Sequence, residues 1–305
     1  MTCAYEGSGI VFDFQRFSLN DGLGIRTLVF FKGCPLRCQW CANPESQSSL
    51  LQLWFQKDKC VSCMRCVPLC PLGEEFAASR SVPWRTCADC DMKCVDACLY
   101  DARKIVGSRM KAAEVIDTVL RDRIFYENSG GGVTLGGGEV LMQSEFAADI
   151  LAGCKMQGIH TAIETCGFAP WIAFERMLPH LDLLLFDIKH MDSFAHREGT
   201  AAGNELILEN AIKAAKVKEM VIRLPLIPGF NDGSDNVERL GRFVRDSLPS
   251  VRRIEILPYH TTGASKSRSV GKEYLYDQTS LSGEDSIRAI KNVLLKYVEQ
   301  VSVGG

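Results

Sequence analysis

Short apolar runs alternate along this chain with longer stretches in which apolar positions recur every three or four residues, the pattern of strands followed by helices. The runs fall at 27–31, 133–135, 160–165, 183–188, 220–227 and 253–258. The periodic stretches fall at 111–126, 143–157, 170–178, 204–217, 235–248 and 286–301, and Val115, Val119 and Leu120 mark the apolar stripe of the first. Six strand–helix units predict an α/β architecture with a parallel sheet. They are too few for the eight of a closed TIM barrel, so the expected fold is a partial, open (β/α)6 TIM-like barrel. Residues that do chemistry in such folds stand at the C-terminal ends of the strands.

One interval breaks the alternation. Residues 54–106 are rich in Cys, Pro and turn formers and carry no long periodic run. They read as a small inserted α+β domain, which divides the chain into 1–53, an insert at 54–106, and 107–305 completing the barrel begun by the first part. No internal repeat or low-complexity tract is present.

Composition narrows the class. With 305 residues, 46% hydrophobic and 24% charged, the chain has the balance of a soluble globular protein. Its net charge of −2, with both signs mixed throughout, leaves no basic footprint for nucleic acid and no polybasic patch for a membrane. No basic n-region with an apolar core opens the chain, and no stretch approaches the ~18 apolar residues of a membrane span. The expected location is cytoplasmic.

Fourteen cysteines in such a chain point to metal binding rather than disulfides, because the cytosol keeps thiols reduced. Eleven lie in three dense groups before Asp101; only Cys3, Cys154 and Cys166 stand apart and have no evident task beyond a loose terminus or a core position. The first group, Cys34-Pro-Leu-Arg-Cys38-Gln-Trp-Cys41, follows the first barrel strand. Three thiolates hold a cubane iron-sulfur cluster and leave one iron without a protein ligand, whereas an electron carrier uses four. By analogy with catalytic zinc, an open position is a place for a substrate.

The insert supplies the others. Cys60-x2-Cys63-x2-Cys66-x3-Cys70-Pro71 matches the bacterial ferredoxin run, whose fourth cysteine ligates the other cluster of a pair. Cys87-x2-Cys90-x3-Cys94-x3-Cys98 follows, departing from that run in its spacing and in lacking the proline. The crossing rule pairs Cys60, Cys63 and Cys66 with Cys98, and Cys87, Cys90 and Cys94 with Cys70, as two closed 4Fe-4S clusters suited to electron transfer. Two all-thiolate zinc sites are the other use of eight cysteines.

Gly136-Gly137-Gly138-Glu139 follows the second barrel strand and matches neither phosphate-binding glycine motif. Glycines there let backbone approach a neighbour without a Cβ in the way. Glu164, the Asp187-Ile188-Lys189 pair, Arg223 and His260 all stand at or near later strand ends. Each alone has a bland alternative as a solvated strand end or surface pair.

Together with the cysteine triad, the Gly-Gly-Glu run resembles the radical S-adenosylmethionine (SAM) enzymes. Asp21-Gly22-Leu23-Gly24-Ile25-Arg26-Thr27, Cys41-Ala42-Asn43-Pro44-Glu45-Ser46 and the insert narrow the resemblance to glycyl radical enzyme activating enzymes of the type with two auxiliary clusters. Leu23 stands where that family often has Pro, a change in loop stiffness. The resemblance implies three 4Fe-4S clusters and SAM. Cys34, Cys38 and Cys41 would hold the catalytic cluster, with Trp40 packed around it. Gly137, Gly138 and Glu139 would meet the amino group of SAM, Lys189 its carboxylate, and Asp187 a monovalent cation or the ligand. Glu164, Arg223 and His260 would line the adenosyl or carboxylate end.

The implied activity is reductive cleavage of SAM to a 5′-deoxyadenosyl radical, which takes hydrogen from a backbone glycine of a partner glycyl radical enzyme. Flavodoxin or ferredoxin would supply the electron. A radical SAM peptide maturase and a ferredoxin-like electron carrier are the alternatives. The maturases often carry their extra cysteines after the barrel, and the carrier leaves the three-cysteine run unexplained.

Overall fold

A computed structural model describes residues 6–73, 87, 90–276 and 282–304, so Cys3 lies outside the described residues. Its main sheet is built from β1 (Ser8–Ser18), β2 (Arg26–Phe31), β5 (Ser108–Lys111), β6 (Gly132–Gly137), β7 (His160–Thr165), β8 (Leu183–Asp187), β9 (Glu219–Leu226), β10 (Val251–Pro258) and β11 (Gln300–Val303). The order is β11-β10-β9-β8-β7-β6-β2-β1-β5. From β2 through β11 every neighbouring pair is parallel, while β1 runs antiparallel to both β2 and β5. The six expected strands are the parallel ones from β2 to β10.

Parallel strands are apolar along their whole length because both faces are covered. β8 is the clearest case. Leu184 and Phe186 join the large core under the helices, whereas Leu183 and Leu185 meet Ala162 and Val221 on the other face. Farther along that second face the sequence turns polar, with Arg26, Thr134 and Arg223 fully buried. Arg26 donates to Thr134 Oγ1 at 2.7 Å, and Thr134 donates to the Asp21 carbonyl at 2.7 Å, so the 19–25 loop is tied to the sheet.

Two expectations are corrected. The helix expected at 286–301 ends at Leu294, and Gln300–Val303 forms β11 beside β10. Val301 and Val303 belong to a period of two, which the helical pattern before them concealed. The helix expected at 111–126 is two helices, Ala112–Leu120 and Arg123–Ser129. Asp122 turns inward at the break, where Arg16 and Thr27 Oγ1 donate to its carboxylate. β1 and β5 carry one largely solvated face and so show no apolar run. Two further unexpected helices, Ser193–Thr200 and Thr262–Ser269, follow β8 and β10 on the side of the strand ends.

Between β2 and β5 the chain forms β3 (Gln52–Phe55) and β4 (Arg103–Val106), an antiparallel pair apart from the main sheet. It carries its own small core of Leu53, Phe55, Cys87, Met92, Cys94 and Ala102. Among the described residues, no helix is long and apolar enough to cross a membrane.

Candidate active site

The loop that leaves β2 is fastened to the end of β6. Gly138 N donates to the Phe31 carbonyl at 2.9 Å and Glu139 N to the Gly33 carbonyl at 2.7 Å. A Cβ on Gly138 would overlap the Gly33 carbonyl oxygen, and one on Gly137, which has φ of 104°, would stand 2.6 Å from Phe31 N. The glycines are therefore required by the backbone that carries the cysteines. The same loop rests on the helix Ser193–Thr200, with Arg37 N donating to the Thr200 carbonyl at 2.7 Å and Gln39 N to that of Gly199 at 3.0 Å.

A cavity of about 280 Å³ opens where these strand ends meet. Cys34, Cys38, Cys41, Trp40, Gly137, Gly138, Glu164, Asp187, Lys189 and His260 line it. Ten of the twelve residues expected in the catalytic site thus converge on one space. Trp40 forms part of the wall and packs on Phe230 and Tyr276, with ring centroids 4.4 and 6.1 Å away. His260 is at the exposed rim, its Nδ1 2.6 Å from Thr262 Oγ1.

Glu139 and Arg223 do not line the cavity; they stand behind it. The buried Glu139 carboxylate accepts from Thr165 Oγ1 at 2.6 Å, Cys166 N at 2.8 Å and Leu141 N at 3.1 Å, which ties the end of β6 to the end of β7. Arg223 donates to Glu255 at 3.0 Å, Glu164 at 3.1 Å and Asp21 at 3.5 Å, and also to the Asn20 carbonyl. The arginine is a buried hub that holds Glu164 from below.

The charges follow from burial and these partners. Burial opposes the Lys189 cation, but Asp187, whose carboxylate is 2.7 Å away, is the largest influence against it, so its pKa is raised and it is charged at neutral pH. Burial raises the Glu164 carboxyl to about 7, with Arg223 opposing and Asp187 and Asp21 reinforcing the rise. Surrounding protein encloses Glu164, yet 27% of its side chain stays open. Burial pushes the Cys38 thiol far up and the Cys41 thiol up to about 11. Iron would reverse that, since a coordinated thiol gives up its proton outright.

Two observations test whether an iron cluster and SAM fit here. The three thiols are free, they share the cavity with a charged lysine, and no disulfide consumes them. Asp187 Oδ1 is buried without a hydrogen-bond partner, which is costly unless a ligand or cation completes it. Among the described residues, no three His, Cys, Asp or Glu side chains stand close enough to hold a single metal ion. In a cubane each thiolate has its own iron and no such convergence is needed. The donor set fits the group.

In the insert, Cys60, Cys63, Cys66 and Cys98 line one cavity of about 150 Å³. Burial raises the Cys87 thiol to about 11, with Cys90, Cys94 and Cys70 the next influences on it.

Sequence reasoning missed several residues. Cys166 lines the main cavity together with Cys34. Its only sequence signal was its place at a strand end. Asn231, fully buried, donates to the carbonyls of Lys189 at 2.8 Å and Pro225 at 2.6 Å and accepts from Ile227 N at 2.7 Å. Ile227 and Tyr259 add apolar wall. A single asparagine or tyrosine in a loop carries no distinguishing pattern.

A mostly parallel α/β sheet with three cysteines on the loop after its first parallel strand defines the class, and residues 28–241 match the Radical SAM superfamily. The chain is 40% identical over 307 residues to the choline trimethylamine-lyase activating enzyme of Oleidesulfovibrio alaskensis, covering 98% of each protein. It is 37% identical over 302 residues to the isethionate sulfite-lyase activating enzyme of Nitratidesulfovibrio vulgaris, covering 96% of this chain and 97% of that one. A radical SAM methyltransferase from Sphaerobacter thermophilus shares the fold at 12% identity, with a TM-score of 0.52 over 92% of this chain and 66% of that one. The chain belongs to the Radical SAM superfamily and, within it, to the activating enzymes of glycyl radical enzymes.

Proposed function

We propose that this protein activates a partner glycyl radical enzyme by removing hydrogen from one backbone glycine, with SAM bound at a cluster on Cys34, Cys38 and Cys41. The observation that carries the reading is the single cavity shared by three free thiols, the Lys189 cation and the unpartnered Asp187 oxygen. When bound, the cluster supplies the electron that splits SAM into methionine and a 5′-deoxyadenosyl radical. Lys189 pairs with the SAM carboxylate as a charge-assisted donor. Asp187 accepts from the SAM amino group or completes a monovalent cation. Glu164, Gly137, Gly138 and His260 border the remainder of the cofactor, and Trp40 keeps water away. Glu139 and Arg223 act through the backbone and carboxylate they hold.

In this reading the parallel strands are a partial (β/α)6 barrel formed by 1–53 and 107–305. The 54–106 segment is a ferredoxin-like insert with two closed 4Fe-4S clusters, one on Cys60, Cys63, Cys66 and Cys98, the other on Cys70, Cys87, Cys90 and Cys94. Electrons arrive from a flavodoxin or ferredoxin. The protein works in the cytoplasm. The cavity that Cys60, Cys63, Cys66 and Cys98 line together supports the first of these sets.

Anaerobically reconstituted protein should hold about twelve irons per chain, four for each of three cubanes, and cleave SAM when reduced. Cys38→Ala should lose SAM cleavage and about four irons. Eight irons in the wild type without SAM cleavage would mark an electron carrier instead.

A further inference from the structure

Asn231 is fully buried behind the cavity wall, and the three residues its side chain bonds, Lys189, Pro225 and Ile227, all line that cavity. Its amide nitrogen donates to the Lys189 carbonyl at 2.8 Å and the Pro225 carbonyl at 2.6 Å, and its Oδ1 accepts from Ile227 N at 2.7 Å. Both N–H groups and the oxygen are thereby used. Two carbonyls call for the NH2 group and a backbone N–H calls for the oxygen, so the partners themselves fix which way the amide points.

Its place in the fold explains the need. The β8–β9 ladder closes with Asp187 opposite Arg223 and a last bond from Ile188 N to the Arg223 carbonyl at 2.9 Å. Two residues on, Pro225 has no N–H to extend the ladder. Lys189 lies one residue past that last bond, and Asn231 supplies its carbonyl with a donor. The asparagine is held in turn: Asn236 Nδ2 donates to the Asn231 carbonyl at 2.8 Å, while Asn236 Oδ1 accepts from Met191 N at 2.9 Å. Two side chains therefore tie the segment leaving β8 to the segment leaving β9, where the sheet itself no longer does.

We infer that Asn231 is a positioning residue: by pinning the Lys189 backbone to the wall made by Pro225 and Ile227, it fixes where the Lys189 cation meets the carboxylate of SAM. The inference rests on the proposed function, which puts SAM in this cavity. Without Asn231 the lysine keeps its charge and its bond to Asp187, so the cofactor still binds, against an anchor that must be ordered at the moment of binding.

The test is equilibrium dialysis of SAM against fully reconstituted enzyme that has not been reduced and so does not consume it. Iron content and circular dichroism of the variants match the wild type. In Asn231→Ala SAM binds about tenfold more weakly, the scale of one or two buried hydrogen bonds. A general loss of packing would be indifferent to the lysine, so a double-mutant cycle with Lys189→Met decides. In that background Asn231→Ala changes SAM binding by less than about twofold, because the group it positions is gone. An undiminished loss in the Lys189→Met background, or no loss in Asn231→Ala itself, overturns the inference. Asn236→Asp keeps the acceptor for Met191 N, puts an acid in the first turn of the helix Ser234–Ser247, where it is favoured, and severs only the bond to the Asn231 carbonyl. It weakens SAM binding about threefold, and should Asn231→Ala fail to fold, an unchanged affinity in Asn236→Asp overturns the inference. A wild-type enzyme that binds no SAM overturns the proposed function beneath it, a separate failure.

Discussion

Replacing Arg223 with Met removes a buried cation that pairs with three carboxylates, of which Glu255 keeps Arg253 at 2.8 Å as a second partner. The guanidinium stands 3.0 Å from Glu255, 3.1 Å from Glu164 and 3.5 Å from Asp21, and its side chain is 2% exposed. Methionine fills similar space, so the dominant loss is electrostatic. The carboxylates then repel at close range in low dielectric, and at least one more must take up a proton for the protein to stay folded. Holding a glutamate neutral costs about 1.4 kcal/mol for each pH unit above its ordinary pKa of about 4.3, hence about 5 kcal/mol at pH 8 and about 2 kcal/mol at pH 6. The larger figure lies at the top of the range measured when one partner of a buried pair is removed, about 3–5 kcal/mol. Anaerobic urea denaturation of wild type and Arg223→Met, followed by circular dichroism at the two pH values, reads the difference. An equal loss at pH 6 and pH 8 would show that packing, not charge, is what Arg223 contributes, and would refute the reasoning.

Wild-type stability carries its own pH signature: the Glu164 carboxyl is raised from 4.5 to about 7 in the fold, chiefly by burial, so it keeps its proton where the unfolded chain has lost it. Its contribution is complete below about pH 4.5 and lost as pH rises through about 7, and Glu164→Gln should flatten that fall in a denaturation series. Gly138→Ala puts a methyl into the Gly33 carbonyl, where overpacking costs about 1–3 kcal/mol; SAM cleavage should fall at least about tenfold while circular dichroism shows a folded protein. Lys189→Met removes a charge-assisted bond worth about 1.5–3 kcal/mol, so equilibrium dialysis of the loaded enzyme should show SAM bound about ten- to a hundredfold more weakly.

Most of the fold could be read from the chain because parallel strands buried on both faces are written as uninterrupted apolar runs, as in Leu183 to Phe186. The same rule explains what escaped. β1 alternates with solvent-facing residues, and β11 is four residues long behind a strongly amphipathic helix. At the site, the cysteines were legible because iron chemistry imposes their spacing, and Asp187 and Lys189 because they end an apolar run. Glu139 and Arg223 were legible as residues but not as positions behind the cavity wall. Which face a strand-end side chain takes depends on partners brought from afar: Asp21 for Arg223, and Cys166 for Glu139.

The central claim is that this chain makes a glycine radical in another protein. The direct measurement mixes the reduced, fully reconstituted enzyme with SAM and a glycyl radical enzyme of the same organism, and records the electron paramagnetic resonance spectrum. A glycyl doublet that appears with the wild type and is absent with Cys38→Ala is the predicted result. Cleavage of SAM with no doublet on that partner would contradict the account.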